Sequence, residues 1–141
     1  MSFLLDTNVI SEWVKPQPET NVVAWLAELD EEEVFMSVAS LAELRRGVEL
    51  LPVGRRRAQL EEWIVNDLPE RFEGRVLDVD GHIADAWGRI MARGQRVGRM
   101  PGSMDAFFAA TAEFHQLTLV TRNIRDFEDL GILLYNPWGR E

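Results

Sequence analysis

Short apolar runs alternate along the chain with longer stretches in which apolar residues recur every three or four positions. Phe3-Leu4-Leu5 is the first run, and residues 34–38, 76–79, 117–121 and 132–134 supply four more strand candidates. Between them, Val22, Trp25, Leu26 and Leu29 fall at helical spacing over residues 21–29. Leu41, Leu44, Val48 and Leu51 mark a second stripe, and Leu60, Trp63 and Ile64 a third within residues 55–68. Ile83, Trp87, Ile90 and Met91 define another helix, and Phe107, Phe108 and Phe114 belong to one expected over residues 104–115, with Ser103 as its N-cap. Ser40 followed by Glu43 matches a capping box at the head of the second stripe. Pro16 and Pro18 open the first helix-less stretch; Pro52 with Gly54, and then Pro69, close the second and third helices. Residues 94–102 hold Gly94, Gly98, Gly102 and Pro101 and read as a loop; residues 126–130 read as a single turn.

Strands alternating with helices predict an α/β fold, a sandwich around a mostly parallel central sheet. In such sheets ligands bind beyond the carboxyl ends of the strands. Asp6 follows the first strand, and Thr121, Asn123 and Asp126 follow the strand over residues 117–121. If those strands run parallel, both groups reach the same edge of the sheet.

A length of 141 residues fits one domain, residues 1–141, with no repeat or linker. No run approaches the ~18 apolar residues of a membrane span, and no basic flank precedes a long apolar stretch at the N-terminus. Cysteine is absent, which excludes disulfides and thiolate metal sites. A cytoplasmic protein is the expectation. The formal net charge of −9 argues against a general nucleic-acid binder, unless a cation supplies positive charge at one site. Lys15 is the only lysine beside fourteen arginines, so chemistry that requires a fixed lysine near a phosphate has a single candidate. The arginines cluster at 45–46, 55–57 and 89–99, where solvated helix faces are the plain reading and Arg99 is a candidate for guiding a nucleic acid.

Three carboxylates stand out. Asp6 ends a buried run, where a turn-forming role is the ordinary alternative. Glu43 precedes Leu44 near a helix start, and Asp105 lies in the first turn of its helix, where negative charge is favoured by ~0.3–1 kcal/mol without any function. Together with Thr121, Asn123 and Asp126 they would form a pocket of hard oxygen ligands, self-repelling unless it holds Mg²⁺ or Mn²⁺. Such an ion lowers the pKa of a water and stabilises charge on phosphate.

Four segments in order carry a resemblance: Leu5-Asp6-Thr7-Asn8-Val9-Ile10, then residues 37–43, then Asp105 with Ala109-Ala110-Thr111-Ala112, then residues 121–127, followed by Asn136-Pro137-Trp138. Over nearly its full length the chain resembles the PIN-domain family, and within it the VapC-type toxins of toxin–antitoxin pairs, in the FitB-like branch. The resemblance implies a three-layer α/β/α fold and a Mg²⁺-dependent endoribonuclease acting on RNA. It also implies a VapB-like antitoxin partner and a homodimer. Asp6 and Asp105 match the principal metal ligands, Glu43 the third acid, and Thr121 a residue that orients an attacking water. The fourth acidic position falls at Asn123, so either Asn123 or Asp126 fills that corner.

The resulting expectation is hydrolysis of an RNA phosphodiester by a metal-activated water, with Asp6, Glu43 and Asp105 as ligands and Thr121, Asn123 and Asp126 completing the catalytic set. Two metals ~3.5–4 Å apart are compatible with it. An aspartyl-nucleophile phosphatase is the rival enzyme, opposed by Asn8 two residues after Asp6 and by the position of Lys15. A PIN-like scaffold without catalysis is the rival outside enzymes. Leu60, Trp63 and Ile64, or Val22, Trp25 and Leu26, are core candidates that could instead receive an antitoxin helix. Trp13 and Trp138 are candidates for exposed contacts, and His82 and His115 read as ordinary surface residues.

Overall fold

The computed structural model describes residues 1–139. Five strands form one sheet: β1 (Phe3–Leu5), β2 (Val34–Ser37), β3 (Val76–Leu77), β4 (Thr118–Val120) and β5 (Leu134–Tyr135), in the order β3-β2-β1-β4-β5. Every neighbouring pair is parallel. Side chains alternate across a strand, and the core follows that alternation. Leu4 and Leu119 pack on one face with Ile83, Ile90 and Phe108, and Leu5 and Val120 on the other with Val9, Val22, Leu26, Leu68 and Phe72. Helices therefore cover both faces, giving three α/β/α layers.

The helices are α1 (Thr7–Ile10), α2 (Thr20–Glu28), α3 (Val38–Glu49), α4 (Arg55–Glu62), α5 (Leu68–Arg71), α6 (Gly81–Arg96) and α7 (Ser103–His115). Two starts differ from the sequence reading. Ser37, not Ser40, caps α3 by accepting from Ala39 N at 3.0 Å. Gly102 precedes α7, and Ser103 is already helical. Pro69 does not end the third helix either. α4 widens into a π turn over Trp63–Asp67, where Leu68 N–H reaches back to Trp63 O, and the helix resumes as α5. The wider turn takes up a proline that an α-helix interior would not accept.

The strand order sets where chemistry can sit. From β1 the sheet grows outward through β2 and β3 on one side and through β4 and β5 on the other. The gap beyond the carboxyl ends of β1 and β4 is thus the switch point at which open parallel sheets bind ligands. The β1–β4 register pairs Leu5 with Val120, so the next residues, Asp6 and Thr121, emerge side by side. α7 returns the chain to β4 through Gln116, which adopts the left-handed conformation (φ 57°) while Leu117 N bonds Ala112 O at 2.8 Å.

Candidate active site

Asp6 leaves β1 with its backbone N–H still in the sheet, bonded to Val120 O at 2.9 Å. Its side chain is buried at 7% exposure. One oxygen accepts from Thr7 N and the other from the Thr121 hydroxyl, each at 2.7 Å. The Thr121 hydroxyl in turn accepts from Asn123 N at 3.0 Å, and Thr121 N is held by Tyr135 O at 2.9 Å. The ordinary role expected of Asp6, terminating a strand and capping the short turn α1, is therefore real. It occupies only one carboxylate oxygen.

Glu43 lies in the second turn of α3, too far along to complete a capping box. Its carboxylate instead accepts from the Thr7 hydroxyl, which also shares a 2.9 Å hydrogen bond with the fully buried Ser40 hydroxyl. Ser40 and Glu43 stand three residues apart on one helix face, so α3 presents both to the turn after β1. Thr7 and Ser40 are the site residues that sequence reasoning missed. The only signal was the position of Thr7 directly after Asp6 and the same-face spacing of Ser40 and Glu43.

Asp105 sits half-buried in the first turn of α7. Residues 97–102 lead into it and fold back over α6 at Gly94. A Cβ at Gly94 would lie 2.7 Å from Pro101 Cδ and 2.9 Å from Arg99 O, so only glycine permits the approach. Trp87 Nε1 donates to Ser103 O at 3.0 Å and fixes the other end of the loop. Arg99, expected to guide a nucleic acid, is otherwise engaged: Nη1 pairs with Asp129 at 2.6 Å and Nη2 donates to Arg125 O at 3.3 Å. It stitches the loop before Asp105 to the turn over Ile124–Asp126.

The electrostatics tie the four acids together. Partial burial, followed by the negative charges of Asp6, Asp126 and Glu43, pushes the Asp105 carboxyl up to about 6. Burial also raises Asp6; the hydrogen bonds from Thr121 and Thr7 oppose it, and the charges of Glu43 and Asp126 add to it. Asn123 takes part through its backbone, its N–H to Thr121 and its carbonyl to Asp126 N at 3.1 Å. At the fourth corner it is the charge of Asp126 that reaches Asp6 and Asp105.

Among the described residues no three acids or histidines converge at the spacing of a bound ion. Like charges keep apart, and Asp6 and Glu43 are turned onto hydroxyl groups. The donor chemistry nonetheless suits a hard divalent cation, with carboxylate and hydroxyl oxygens and neither thiolate nor imidazole near them. His82 lies elsewhere, stacked on Phe114 at 4.9 Å between centroids, and His115 ends α7.

Two depressions flank the acids. One, of about 620 Å³, is walled by Arg122, Asn123, Ile124, Arg125, Asp126 and Glu128. The other, of about 330 Å³, runs from Thr7 and Glu43 along Leu44, Leu51, Leu60 and Trp63, so part of the third stripe lines a groove while Ile64 is buried beside it.

Comparison with known proteins agrees with this geometry. The model of the PIN domain matches residues 3–133. The chain is 40% identical over 135 residues to the toxin FitB of Neisseria gonorrhoeae, covering 96% of this chain and 97% of that one. It is 35% identical to the VapC ribonuclease Y4jK of Sinorhizobium fredii, covering 96% of each. The crystal structure of FitAcB from Neisseria gonorrhoeae superposes with a TM-score of 0.92 at 39% identity, covering 98% of this chain and 99% of that chain. PIN nucleases as a family use divalent metal ions, in keeping with the carboxylates gathered here. With a family model spanning nearly the whole chain, and relatives this similar along the same length, the chain belongs to the PIN-domain family.

Proposed function

We propose that the protein is the toxin of a toxin–antitoxin pair and a Mg²⁺-dependent endoribonuclease that hydrolyses RNA phosphodiester bonds. The observation that carries this reading is the group of four mutually repelling carboxylates at the switch point, with Asp105 raised to about 6 by burial and then by the charges of its neighbours. Relatives named as VapC ribonucleases, and the tRNA(fMet)-specific endonuclease VapC of Shigella flexneri at 31% identity, support the reaction class.

Asp6 and Asp105 would hold the metal, with Glu43 as the third acid and Asp126 supplying the negative charge missing at Asn123. When bound, the ion lowers the pKa of a water and neutralises charge on the phosphate. Thr121 and the Thr7 N–H each hold one Asp6 oxygen, so together they fix the plane of the carboxylate that would meet the ion. The Thr7 hydroxyl holds one oxygen of Glu43, whose free oxygen is then placed to accept the proton of the attacking water. Loss of either hydroxyl would let its carboxylate rotate.

The apolar groove between α3 and α4 begins at Glu43. An amphipathic antitoxin segment laid there would reach the acids and block them. The FitA and VapB complexes among the similar structures support such a partner. Among the described residues no helix is long and apolar enough to cross a membrane, and an RNA-cutting toxin would work in the cytoplasm.

Purified protein incubated with total cellular RNA and Mg²⁺ should produce discrete cuts that disappear with chelator and in Asp6→Ala. Cleavage that persists in Asp6→Ala would overturn the assignment.

A further inference from the structure

We infer that Arg122 is a substrate-binding residue, its guanidinium gripping an RNA phosphate beside the scissile one while it rests on the face of Trp138. The inference rests on the nuclease reading and adds to it the path of the RNA backbone out of the cleft.

Position comes first. Arg122 lies between two residues pinned to the site: Thr121, bonded to Asp6, and Asn123, whose N–H bonds the Thr121 hydroxyl. Its own N–H points to Asn8 Oδ1 at 3.4 Å. The backbone is therefore fixed on both sides, while the side chain is exposed and forms one wall of the 620 Å³ depression that also holds Asp126.

Orientation comes second. The Arg122 guanidinium carbon lies 5.4 Å from the centroid of the Trp138 ring, within cation–π range. Trp138 is itself held, its N–H on Asn136 Oδ1 at 2.9 Å and its carbonyl accepting from Asn21 Nδ2 at 3.4 Å. A guanidinium lying over a ring keeps its in-plane N–H donors outward, which suits a phosphate fork.

Availability comes third. Arg45, Arg57, Arg89, Arg93 and Arg99 are each ion-paired. Arg56 and Arg75 donate to backbone carbonyls, and Lys15 is bound to buried Glu12. Among the described residues Arg122 has no carboxylate within 4.0 Å. The negative group that feels its charge, Glu12, already has its oxygens on Lys15 and on Glu19 N. Arg122 is thus a held cation with unspent donors beside an acidic centre. In a chain of net charge −9, that is what a polyanion needs next to the metal.

The test measures steady-state cleavage of a randomised short single-stranded RNA pool with Mg²⁺ as a function of salt. Arg122→Gln should raise KM about tenfold, the scale of losing a charge-assisted hydrogen bond, with kcat little changed. The slope of log(kcat/KM) against log salt should fall by about 0.7, one single-strand phosphate contact. Arg122→Lys should restore the slope and part of KM. Trp138→Leu should raise KM by a smaller factor at an unchanged slope, and Arg89→Gln, which lines a separate depression with His82 and Phe114, should change neither. Wild-type KM and slope in a folded Arg122→Gln would overturn the contact and leave the nuclease standing. If the wild type cuts no RNA, the nuclease reading fails instead. Filter binding of the same pool then decides the contact, supported by weaker binding in Arg122→Gln and overturned by equal binding.

Discussion

Two buried acids, six residues apart, have opposite fates. Glu12 is 1% exposed and Asp6 is 7% exposed, so both pay for leaving water. Burial presses the Glu12 carboxyl upward, but the Glu19 N–H, Lys15 and the charge of Arg122 outweigh it and hold the group below its ordinary value. For Asp6 burial is the largest influence; two good hydrogen bonds oppose it without cancelling it, and the charges around it, Glu43 and Asp126, are negative and add to the rise. Burial alone does not mark a functional carboxylate; the sign of the neighbours does. Glu12 joins the turn after α1 to residues 15 and 19, whereas Asp6 belongs to a group that a cation would complete.

The largest way to press this contrast is Asp105→Asn. It removes one charge from the cluster without changing shape. RNA cleavage should fall on the order of a thousandfold, the scale of losing a metal ligand together with its electrostatic stabilisation. The metal-free protein should melt no lower than wild type, since a repulsion is removed with the charge. A lower melting temperature in chelator would mean that Asp105 is held by favourable contacts like those of Glu12. Thr121→Val is the next step down. It keeps the buried volume and deletes the donor to Asp6, so Mg²⁺ affinity measured by calorimetry should fall about 10–100-fold. Unchanged affinity would show that Asp6 does not need Thr121 to orient it.

How far the sequence could be read divides along the same line. The sheet was legible because its strands are apolar runs and parallel pairing follows from alternating elements; Asp6 beside Thr121 then follows from β1–β4 register alone. The helix starts were less so. Ser37 and Ser40 are both acceptable caps, and only the folded chain shows Ser37 at the boundary and Ser40 turned to Thr7. Pro69 was read as a stop because its effect depends on whether the preceding turn can widen, which is a tertiary matter. Glu12 had a local partner in Lys15, three residues on, but nothing in the sequence showed that it would be buried or that Arg122 would become its neighbour. Arg99 looked available for the same reason: Asp129, its partner, is thirty residues away.

Glu12→Gln tests the other half of the comparison. The amide retains an acceptor for Glu19 N but loses the charge opposite Lys15. Since Lys15 is itself about half exposed, the loss should be about 1.5–3 kcal/mol, that of one charge-assisted hydrogen bond. Urea unfolding would register this as a lower midpoint at constant slope. Specific cleavage per folded molecule should stay close to wild type, because none of the acids that would hold metal is touched. A large fall in kcat at normal stability would place Glu12 in the chemistry.

The smallest effect is the pH dependence of stability, and its sign separates the two acids within one titration. Asp105 and Asp6 bind protons more tightly folded than unfolded, so the native state holds more protons and stability falls as pH rises from about 4 to about 6. Glu12 and Asp80 have lowered values, so what they contribute is full above the ordinary carboxylate range and is lost as pH falls through and below it, the opposite sign. Metal-free protein should therefore melt at a higher temperature at pH 5 than at pH 7. Saturating Mg²⁺ should reverse the order, since an ion that needs ionised carboxylates binds better as they lose their protons. In Asp105→Asn the metal-free slope should flatten. A slope as steep as wild type would locate the responsible protons outside the cluster.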